Sequence, residues 1–391
     1  MIERRIRGQL AADLAKKMVL LSGPRQCGKT TLVQALAAAG GGAYYNWDAA
    51  PDRLAIQKRA LDFDRGLWVF DELHKFRRWR SFLKDLSDSY GRRKRILVTG
   101  SARLELYGRG GESLQGRYYG HHLHPVTFSE LHGLPFQTVR SVPALGTDPR
   151  RLPLDDLLML GGFPEPLLSG SEHEAARWRL AYGERLVREE VASLEQVREI
   201  ERIELLYDRL SDVAGGILSI NSLREDLEVS FETVRSWIGI LERLDALFRV
   251  PPYGPPRVRS VKKEQKVYFW DWSRCTSAGA RFENLVATHL LRAVDWAADV
   301  EGEKLSLRFF RHREGHEVDF VLLRAGKPWL AIEAKLTDDS LAPGLRYFSQ
   351  RAQPAFAFQV VLEGAHERRL PDIGRTEVRV IGATRLLANL P

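Results

Sequence analysis

Residues 23–30 read GPRQCGKT, the G-x-x-x-x-G-K-T pattern of a phosphate-binding loop. Its glycines let successive backbone N–H groups curl around phosphate oxygens, and its lysine adds a positive charge at the β- and γ-phosphates. The hydroxyl of Thr30 is a candidate ligand of Mg²⁺. The pattern predicts that a nucleoside triphosphate binds at Gly23, Pro24, Arg25, Gln26, Cys27, Gly28, Lys29, Thr30 and Thr31.

The residues around this loop have the order that the motif requires. Residues 19–21 are an apolar run that suits a buried parallel strand, and residues 31–39 have a helical composition that ends at Gly40. Strand, loop and helix in this order predict an α/β fold with a parallel sheet, with the helix N-terminus directed at the phosphates.

A second motif supports nucleotide hydrolysis. Residues 67–72 read LWVFDE, an apolar strand that ends in two acids, as in a Walker B motif. Asp71 is predicted to hold Mg²⁺ through water, and Glu72 to orient or deprotonate the attacking water. A third strand at residues 95–101 ends with Thr99 and Ser101, either of which is a candidate sensor of the γ-phosphate or of the water.

Five segments together resemble a known family. They are GPRQCGKTT, LWVFDELHK, ILVTGSARL, ESLQGRYYGHHLHPVTFSEL and GGFPEPLL, and in this order the chain is similar to bacterial and archaeal AAA-type ATPases with a C-terminal DUF4143-type domain. The resemblance spans nearly the whole chain. It implies ATP as the nucleotide and a core of the additional-strand, catalytic-glutamate type, related to the AAA+ and STAND groups. It also makes Arg117 a candidate arginine finger, with Arg103 and Arg109 as competing candidates.

Composition fits a cytoplasmic protein. The chain has 391 residues, 44% of them hydrophobic and 28% charged, which are ordinary values for a globular protein of two or three domains. No apolar segment follows the N-terminus and none approaches the length of a membrane span, so neither a signal peptide nor a membrane location is expected. Cys27 and Cys275 are interpreted as reduced thiols, and oxidation of Cys27 is expected to impair nucleotide binding.

The net charge of +8 suggests a polyanionic partner. Basic residues cluster at 76–80, 91–95 and 257–263. In the first cluster, Phe76 and Trp79 are predicted to stack on bases while the arginines contact phosphates. Solvated loops are the alternative interpretation of each cluster.

The chain divides into four predicted parts. Residues 1–135 are the ATPase core, 136–195 a linker and helical lid, 196–260 a winged helix-turn-helix, and 261–391 the DUF4143 domain. Within the third part, residues 222–227 and 230–237 are predicted as the helix pair, with Ser230 as the cap of the recognition helix and residues 247–250 as the start of a wing. Glu232 beside Arg235 weakens the case for groove reading, so protein contact stays open.

The last part resembles the PD-(D/E)xK nuclease superfamily. Residues 316–323 and 329–335 are predicted to form a hairpin in which Asp319, Glu333 and Lys335 converge, with Glu283 from an upstream helix. Asp319 and Glu333 would supply oxygen ligands for Mg²⁺, Lys335 would orient the attacking hydroxide, and Glu283 would hold a second metal or orient a ligand. The alternative interpretation is a charged hairpin with an exposed salt bridge.

The function favoured by these motifs is ATP-dependent DNA processing by a homo-oligomer, with branched or single-stranded DNA as candidate partners. An ATP-switched, STAND-like regulator that binds DNA or protein without cleaving it is the alternative. A protein-remodelling ATPase without nucleic acid is disfavoured by the basic charge and the C-terminal site.

Overall fold

A computed structural model describes residues 2–91, 93–100, 114–149, 152–191, 199–254, 265–337, 340–364 and 367–391. Contacts divide the chain into two compact units. Unit 1 is Met1–Val126 with Arg243–Asp245, and unit 2 is Thr127–Glu242 with Ala246–Pro391. The four-part division of the chain stays a prediction.

The strands are β1 Met18–Ser22, β2 Ala43–Asn46, β3 Leu67–Asp71, β4 Arg95–Thr99, β5 Tyr118–His122, β6 Leu247–Val250, β7 Lys266–Phe269, β8 Leu305–Arg311, β9 Glu317–Arg324, β10 Lys327–Lys335, β11 Phe356–Val361, β12 Arg368–Ile373 and β13 Thr376–Gly382. The α-helices are α1 Ile6–Leu14, α2 Lys29–Ala39, α3 Ala50–Lys58, α4 Trp79–Tyr90, α5 Phe128–Leu131, α6 Asp155–Leu160, α7 Pro164–Ser169, α8 Glu172–Arg185, α9 Ile200–Asp212, α10 Ile220–Asp226, α11 Phe231–Arg243, α12 Ala278–Asp299, α13 Pro343–Ala352 and α14 Ala383–Leu387. Short 3₁₀ turns occupy Leu73–Lys75, Val139–Ala144 and Trp272–Arg274, and a π turn occupies Leu186–Val191.

Unit 1 contains a parallel sheet in the order β2-β3-β4-β1-β5. Every residue of β1 and β3 is buried, as expected for strands with both faces covered. β4 lies between β1 and β3, so an additional strand separates the two strands that carry the nucleotide motifs. The parallel α/β core predicted from the sequence is confirmed.

Helix α4 shows how one face of a helix enters this core. Its buried residues are Trp79, Phe82, Leu83 and Leu86, at the spacing of one helical face. Phe76 precedes the helix and stacks on Trp47 with ring centroids 4.6 Å apart. The prediction that Phe76 and Trp79 stack on bases is therefore wrong, because Trp79 is buried and the Phe76 ring packs against core aromatics.

Unit 2 contains most of the elements predicted as a winged helix-turn-helix. Helices α9, α10 and α11 are followed by β6 and β7, which pair in antiparallel fashion with Leu247 opposite Phe269. The Ser230 hydroxyl accepts a 3.1 Å hydrogen bond from the Thr233 N–H, so the predicted cap is present. The basic cluster at residues 257–263 lies outside the described residues.

The C-terminal part of unit 2 is a mixed sheet in the order β12-β13-β11-β10-β9-β8. β9 and β10 form the predicted hairpin, with Ala325 (φ 50°) and Gly326 (φ 78°) at its turn. Helix α12 packs near β8 and β10. Lys266 of β7 connects the helix and the sheet, because its Nζ contacts both Glu283 of α12 and Asp319 of β9.

The segment predicted as a linker and helical lid, residues 136–195, begins with the 3₁₀ turn Val139–Ala144. Its longest helix, α8, changes at Leu186 into a π turn, and residues 192–198 lie outside the described residues.

Candidate nucleotide site and C-terminal acidic cluster

The phosphate-binding loop joins β1 to α2 and depends on two glycines. Gly28 has φ 97° and precedes the first residue of α2. Gly23 has φ 140°, and a Cβ at this position would lie 2.2 Å from the Leu123 carbonyl oxygen. Any larger residue at position 23 must therefore displace the backbone of the loop or of the segment after β5.

Lys29 is buried at the start of α2. Its Nζ donates to the Gly23 carbonyl oxygen at 2.8 Å and to the Pro24 carbonyl oxygen at 2.6 Å. The ammonium group is thus held within the loop that would receive phosphates. This lysine would contact the β- and γ-phosphate oxygens of a bound nucleotide.

Asp71 lies at the end of β3 within a set of hydroxyl groups. Its Oδ2 accepts from Thr30 Oγ1 at 2.8 Å and from Tyr44 OH at 2.7 Å, and its Oδ1 accepts from Thr99 Oγ1. Burial, followed by the Asp71 hydrogen bond, raises the pKa of Tyr44. The Thr30 hydroxyl and the Asp71 carboxylate are hard oxygen donors in direct contact, so these residues fit Mg²⁺ at the phosphates.

Thr99 and Ser101 were the candidate sensors at the end of β4. Thr99 is buried and contacts Asp71, so it lies beside the predicted metal-binding carboxylate. Ser101 lies outside the described residues. Tyr44 lies on the neighbouring strand β2 and was missed by sequence reasoning. Its position near the end of a strand beside β3 could have predicted its proximity to Asp71.

Glu72 follows Asp71 in an unusual backbone conformation. Its φ is 55°, in the left-handed region that a non-glycine residue rarely adopts. Its Oε2 lies 3.3 Å from Lys75 Nζ, and Lys75 Nζ lies 2.5 Å from Asp48 Oδ2. Although burial opposes it, the Asp48 hydrogen bond and the Glu72 charge raise the pKa of Lys75. The predicted catalytic carboxylate is therefore held in an ion pair.

In unit 2, the structure brings together the acids predicted for the nuclease-like site. Glu333 Oε2 accepts from the Asp319 N–H at 3.3 Å, and Glu333 Oε1 lies 2.7 Å from Lys335 Nζ. Asp319 Oδ2 accepts from the Ala334 N–H at 3.0 Å. Burial, followed by the Asp319 charge, raises the pKa of both Glu283 and Glu333.

Lys266 lies among these acids and was missed by sequence reasoning. Its Nζ is 3.0 Å from Glu283 Oε1, 2.7 Å from Glu317 Oε1 and 3.0 Å from Asp319 Oδ1. In the sequence, Lys266 comes directly before the apolar residues of β7, which indicates that it is buried with them. Because a lysine is rarely buried without a partner, this position could have predicted an acidic partner. Among the described residues, no group of three or more His, Cys, Asp or Glu side chains is placed to hold a metal ion.

Comparison with known proteins supports the nucleotide site. Residues 15–132 match a family model described as an AAA domain. This part of the chain is an AAA-type P-loop ATPase domain. Residues 151–281 and 278–381 match two domains of unknown function, DUF8612 and DUF4143. The AAA and DUF4143 parts of the resemblance are thereby confirmed.

Two relatives match over most of this chain. They are the uncharacterized proteins Rv2008c of Mycobacterium tuberculosis and Mb2031c of Mycobacterium bovis, each 26% identical over 395 residues, with 95% of this chain and 82% of the relative covered. A solved structure of Thermotoga maritima RuvB covers 63% of this chain and 89% of its own at 19% identity. Its TM-score of 0.26 is too low to carry an argument.

Arg117 of the ATPase domain lies far from the phosphate-binding loop of its own chain. Its side chain pairs with Asp88 at 2.8 Å. It precedes β5, and the register places Tyr118 beside Met18 and His122 beside Ser22. Arg117 is therefore about five residues, or roughly 16 Å, from the loop along the strands. Arg103 and Arg109 lie outside the described residues.

Cys27 is fully buried in the ATPase domain. Burial raises the pKa of its thiol despite the positive charges of Lys29 and Arg4. A buried thiol of raised pKa is a poor nucleophile. Oxidation of a cysteine is favoured by exposure and a low pKa, and the Cys27 thiol has neither. The structure therefore does not support the expected sensitivity of nucleotide binding to Cys27 oxidation.

The excess of positive charge lies in residues 1–126, which form most of unit 1. Residues 1–126 contain 23 Lys and Arg against 12 Asp and Glu, a balance of +11. Residues 127–391 contain 36 against 39, a balance of −3. Arg77 and Arg78 are exposed immediately after the turn that carries Lys75. Two exposed arginines thus follow Glu72 by five and six positions in the chain.

The surface of α10 and α11, the helices predicted as a helix-turn-helix, is instead acidic. Exposed acids on and between α10 and α11 are Glu225, Asp226, Glu228 and Glu232. Arg224 and Arg235 lie within 3.5 Å and 3.6 Å of Glu225 and Glu232. This surface does not have the positive charge that phosphate contacts require.

Among the described residues, no helix is long and apolar enough to cross a membrane.

Proposed function

We propose that this chain is a DNA-processing ATPase whose turnover is stimulated by DNA bound at the basic surface of its ATPase domain. The surface is defined by Arg77 and Arg78, together with Arg80 and Lys84 of α4. The observation that carries the proposal is the concentration of charge: residues 1–126 have a balance of +11 and the rest of the chain −3. A polyanion is attracted to the part of the chain that hydrolyses ATP.

Each step of hydrolysis has a candidate residue in the ATPase domain. The backbone N–H groups of the phosphate-binding loop and Lys29 would bind the phosphates. Thr30 and Asp71 would hold Mg²⁺, which neutralises charge on the β- and γ-phosphates when bound. Glu72 would accept a proton from the attacking water once its carboxylate turns toward the γ-phosphate.

Lys75 connects the basic surface to this chemistry. Its ammonium group holds the Glu72 carboxylate and also contacts Asp48. Arg77 and Arg78 follow two and three residues later in the chain, and we infer that a DNA phosphate bound by them would compete for Lys75. Loss of the Lys75 contact would leave Glu72 available to the attacking water. DNA binding would thereby raise the rate of ATP hydrolysis.

The proposal includes a homo-oligomer. Arg117 is separated from its own phosphate-binding loop by roughly 16 Å along the sheet. If Arg117 contacts a γ-phosphate, that phosphate belongs to a neighbouring subunit. Its pairing with Asp88 would then be exchanged for the neighbour's nucleotide on assembly.

Metal-dependent DNA cleavage by Glu283, Asp319, Glu333 and Lys335 stays a prediction. Each carboxylate oxygen named above has a protein donor, and Lys266 is at the centre of the cluster. These residues do not fit a divalent cation as they are arranged. The proposed function therefore contains no cleavage step.

The test is DNA binding by variants of the basic surface. The variant Arg77→Gln/Arg78→Gln removes two exposed charges, and Arg53→Gln/Lys58→Gln removes two exposed charges of α3 as the matched control. Fluorescence anisotropy with labelled single-stranded, duplex and branched DNA at several salt concentrations is the readout. We expect weaker binding and a smaller salt dependence for the first variant alone. Equal affinities for both variants and the wild type would reject the surface.

A second candidate function is favoured by the acidic helix-turn-helix surface. An ATP-switched regulator could use this surface to bind a basic protein, with slow hydrolysis as the timer. Under this hypothesis, DNA leaves turnover unchanged. Replacement of Glu228 and Glu232 by Gln would then impair recruitment of the protein partner without any change in ATP binding.

A further inference from the structure

The acidic cluster of unit 2 is built around a buried lysine. The Lys266 side chain is 2% exposed, and its Nζ contacts carboxylate oxygens of Glu283, Glu317 and Asp319 at 2.7–3.0 Å. An ammonium group has three N–H donors, so each donor has a carboxylate acceptor. The Phe309 ring lies 5.8 Å from the same nitrogen. The cost of burying the ammonium charge is therefore offset by a carboxylate partner for each of its N–H groups.

Two elements position these acids, the strand β9 and the helix α12. Glu317 and Asp319 are two residues apart on β9, which places them on one face of the strand. Glu283 comes from the second turn of α12, where Tyr268 OH donates to its Oε1 at 2.7 Å. Gly215 leaves room for this carboxylate, because a Cβ at Gly215 would lie 3.1 Å from Glu283 Oε2.

The surrounding charges show why a cation is needed there. Glu333 adds a further acid to the cluster, and Lys335 pairs with it at 2.7 Å. The acids Glu283, Glu317, Asp319 and Glu333 thus outnumber the lysines Lys266 and Lys335. Without Lys266, three carboxylates would face one another with no cation between them, and repulsion would favour either protonation or a bound ion.

We propose that Lys266 is the resident cation of this cluster and takes the position that a divalent metal ion would otherwise occupy. Divalent cations bind oxygen at 2.0–2.6 Å, so the present separations of 2.7–3.0 Å suit an ammonium group. The cluster is then a lysine-filled cation site that needs no metal for its charge balance. Removal of the lysine would open a site for Mn²⁺ or Mg²⁺ formed by Glu283, Glu317 and Asp319.

This proposal is independent of the DNA-stimulated ATPase. It concerns residues of unit 2 and a property, cation binding without nucleotide, that turnover does not report. A chain with no DNA stimulation at all could still have a lysine-filled site. Conversely, an ATPase stimulated by DNA could bind a metal at Asp319.

The experiment uses the full chain without nucleotide. Binding of Mn²⁺ is measured by the loss of the free-ion electron paramagnetic resonance signal, and thermal unfolding is followed with EDTA or with Mn²⁺. For the wild type, we expect no saturable Mn²⁺ binding up to millimolar concentrations and no shift of the midpoint. Saturable micromolar binding that Asp319→Asn removes would overturn the proposal, because the metal would then displace Lys266.

The variant Lys266→Ala tests the position directly. We expect its unfolding midpoint to fall by roughly 10 °C, since the buried acids lose their partner. We also expect Mn²⁺ to bind it and to restore part of the loss, and Lys266→Ala/Asp319→Asn to lose this recovery. A folded Lys266→Ala that binds no Mn²⁺ would overturn the proposal. If that variant does not fold, the wild-type titration decides by itself.

Discussion

Lys75 Nζ lies 3.3 Å from Glu72 Oε2, so the predicted catalytic carboxylate is held by a residue three positions later in the chain. Lys75 also lies 2.5 Å from Asp48 Oδ2, which directs its ammonium group between two carboxylates. Glu72 has a backbone φ of 55° in this arrangement. The ion pair therefore belongs to a locally constrained turn next to the nucleotide site.

Replacement of Lys75 by Met should raise basal ATP hydrolysis. The pair is partly exposed, so it restrains Glu72 only weakly. Its loss should therefore raise the basal rate of ATP hydrolysis by roughly two- to fivefold. Stimulation by DNA should shrink, because the contact that DNA would release is already absent. The measurement is steady-state ATPase activity with and without DNA, and Lys58→Met, at an exposed position of α3, is the control. A lower basal rate with unchanged nucleotide affinity would show that Lys75 assists catalysis and does not restrain Glu72.

Glu72→Gln and Lys29→Ala should separate hydrolysis from binding. The first variant keeps the phosphate-binding loop and loses the proton acceptor, so turnover should fall by roughly 10²-fold or more while nucleotide still binds. The second should lose nucleotide binding itself, because Lys29 would supply the positive charge that contacts the phosphates. Binding of a fluorescent ATP analogue and phosphate release are measured in parallel. Equal loss of binding in both variants would contradict these roles.

Gly23→Ala should damage the loop while Gly8→Ala should not. A Cβ at Gly23 would lie 2.2 Å from the Leu123 carbonyl oxygen, whereas a Cβ at Gly8 meets nothing within 4 Å. The expected cost at Gly23 is about 1–3 kcal/mol of unfolding free energy with loss of ATP binding. Gly8, inside a helix, should gain about 0.5–1 kcal/mol. Urea unfolding measures the change in unfolding free energy for both variants. If Gly23→Ala has normal stability and still binds ATP, the close contact between Gly23 and Leu123 would be refuted.

Both thiols should be unreactive in the folded protein. Burial raises the pKa of Cys27 and raises the pKa of Cys275 to about 12, so the thiolate fraction near neutral pH is small. Reaction with Ellman's reagent at pH 7.5 should be slow in buffer and complete for two thiols in guanidinium chloride. Rapid reaction of Cys27 in buffer, with loss of ATP binding, would restore the oxidation sensitivity expected from the sequence.

The sequence was sufficient to predict the nucleotide site because its chemistry is local. The loop at residues 23–30 and the acids after residue 70 each lie in one short segment, and the strands before them are apolar runs. The same spacing rule could have placed Trp79 in the core, since Trp79, Phe82, Leu83 and Leu86 lie on one helical face.

The interactions that the sequence did not predict join distant residues. Lys266 meets Asp319 across 53 positions of the chain, and Tyr44 meets Asp71 across 27. Such pairs depend on how strands and helices pack, which periodicity does not specify. The pairing of Glu72 with Lys75 is local, but its importance depends on the Asp48 contact from another loop.

The most direct test is ATP turnover by the wild type and Lys29→Ala without DNA and with single-stranded, duplex and branched DNA, at two salt concentrations. The account predicts that at least one DNA form raises wild-type turnover severalfold, that added salt reduces the effect, and that Lys29→Ala shows none. Wild-type turnover that is identical with every DNA form at both salt concentrations would contradict it.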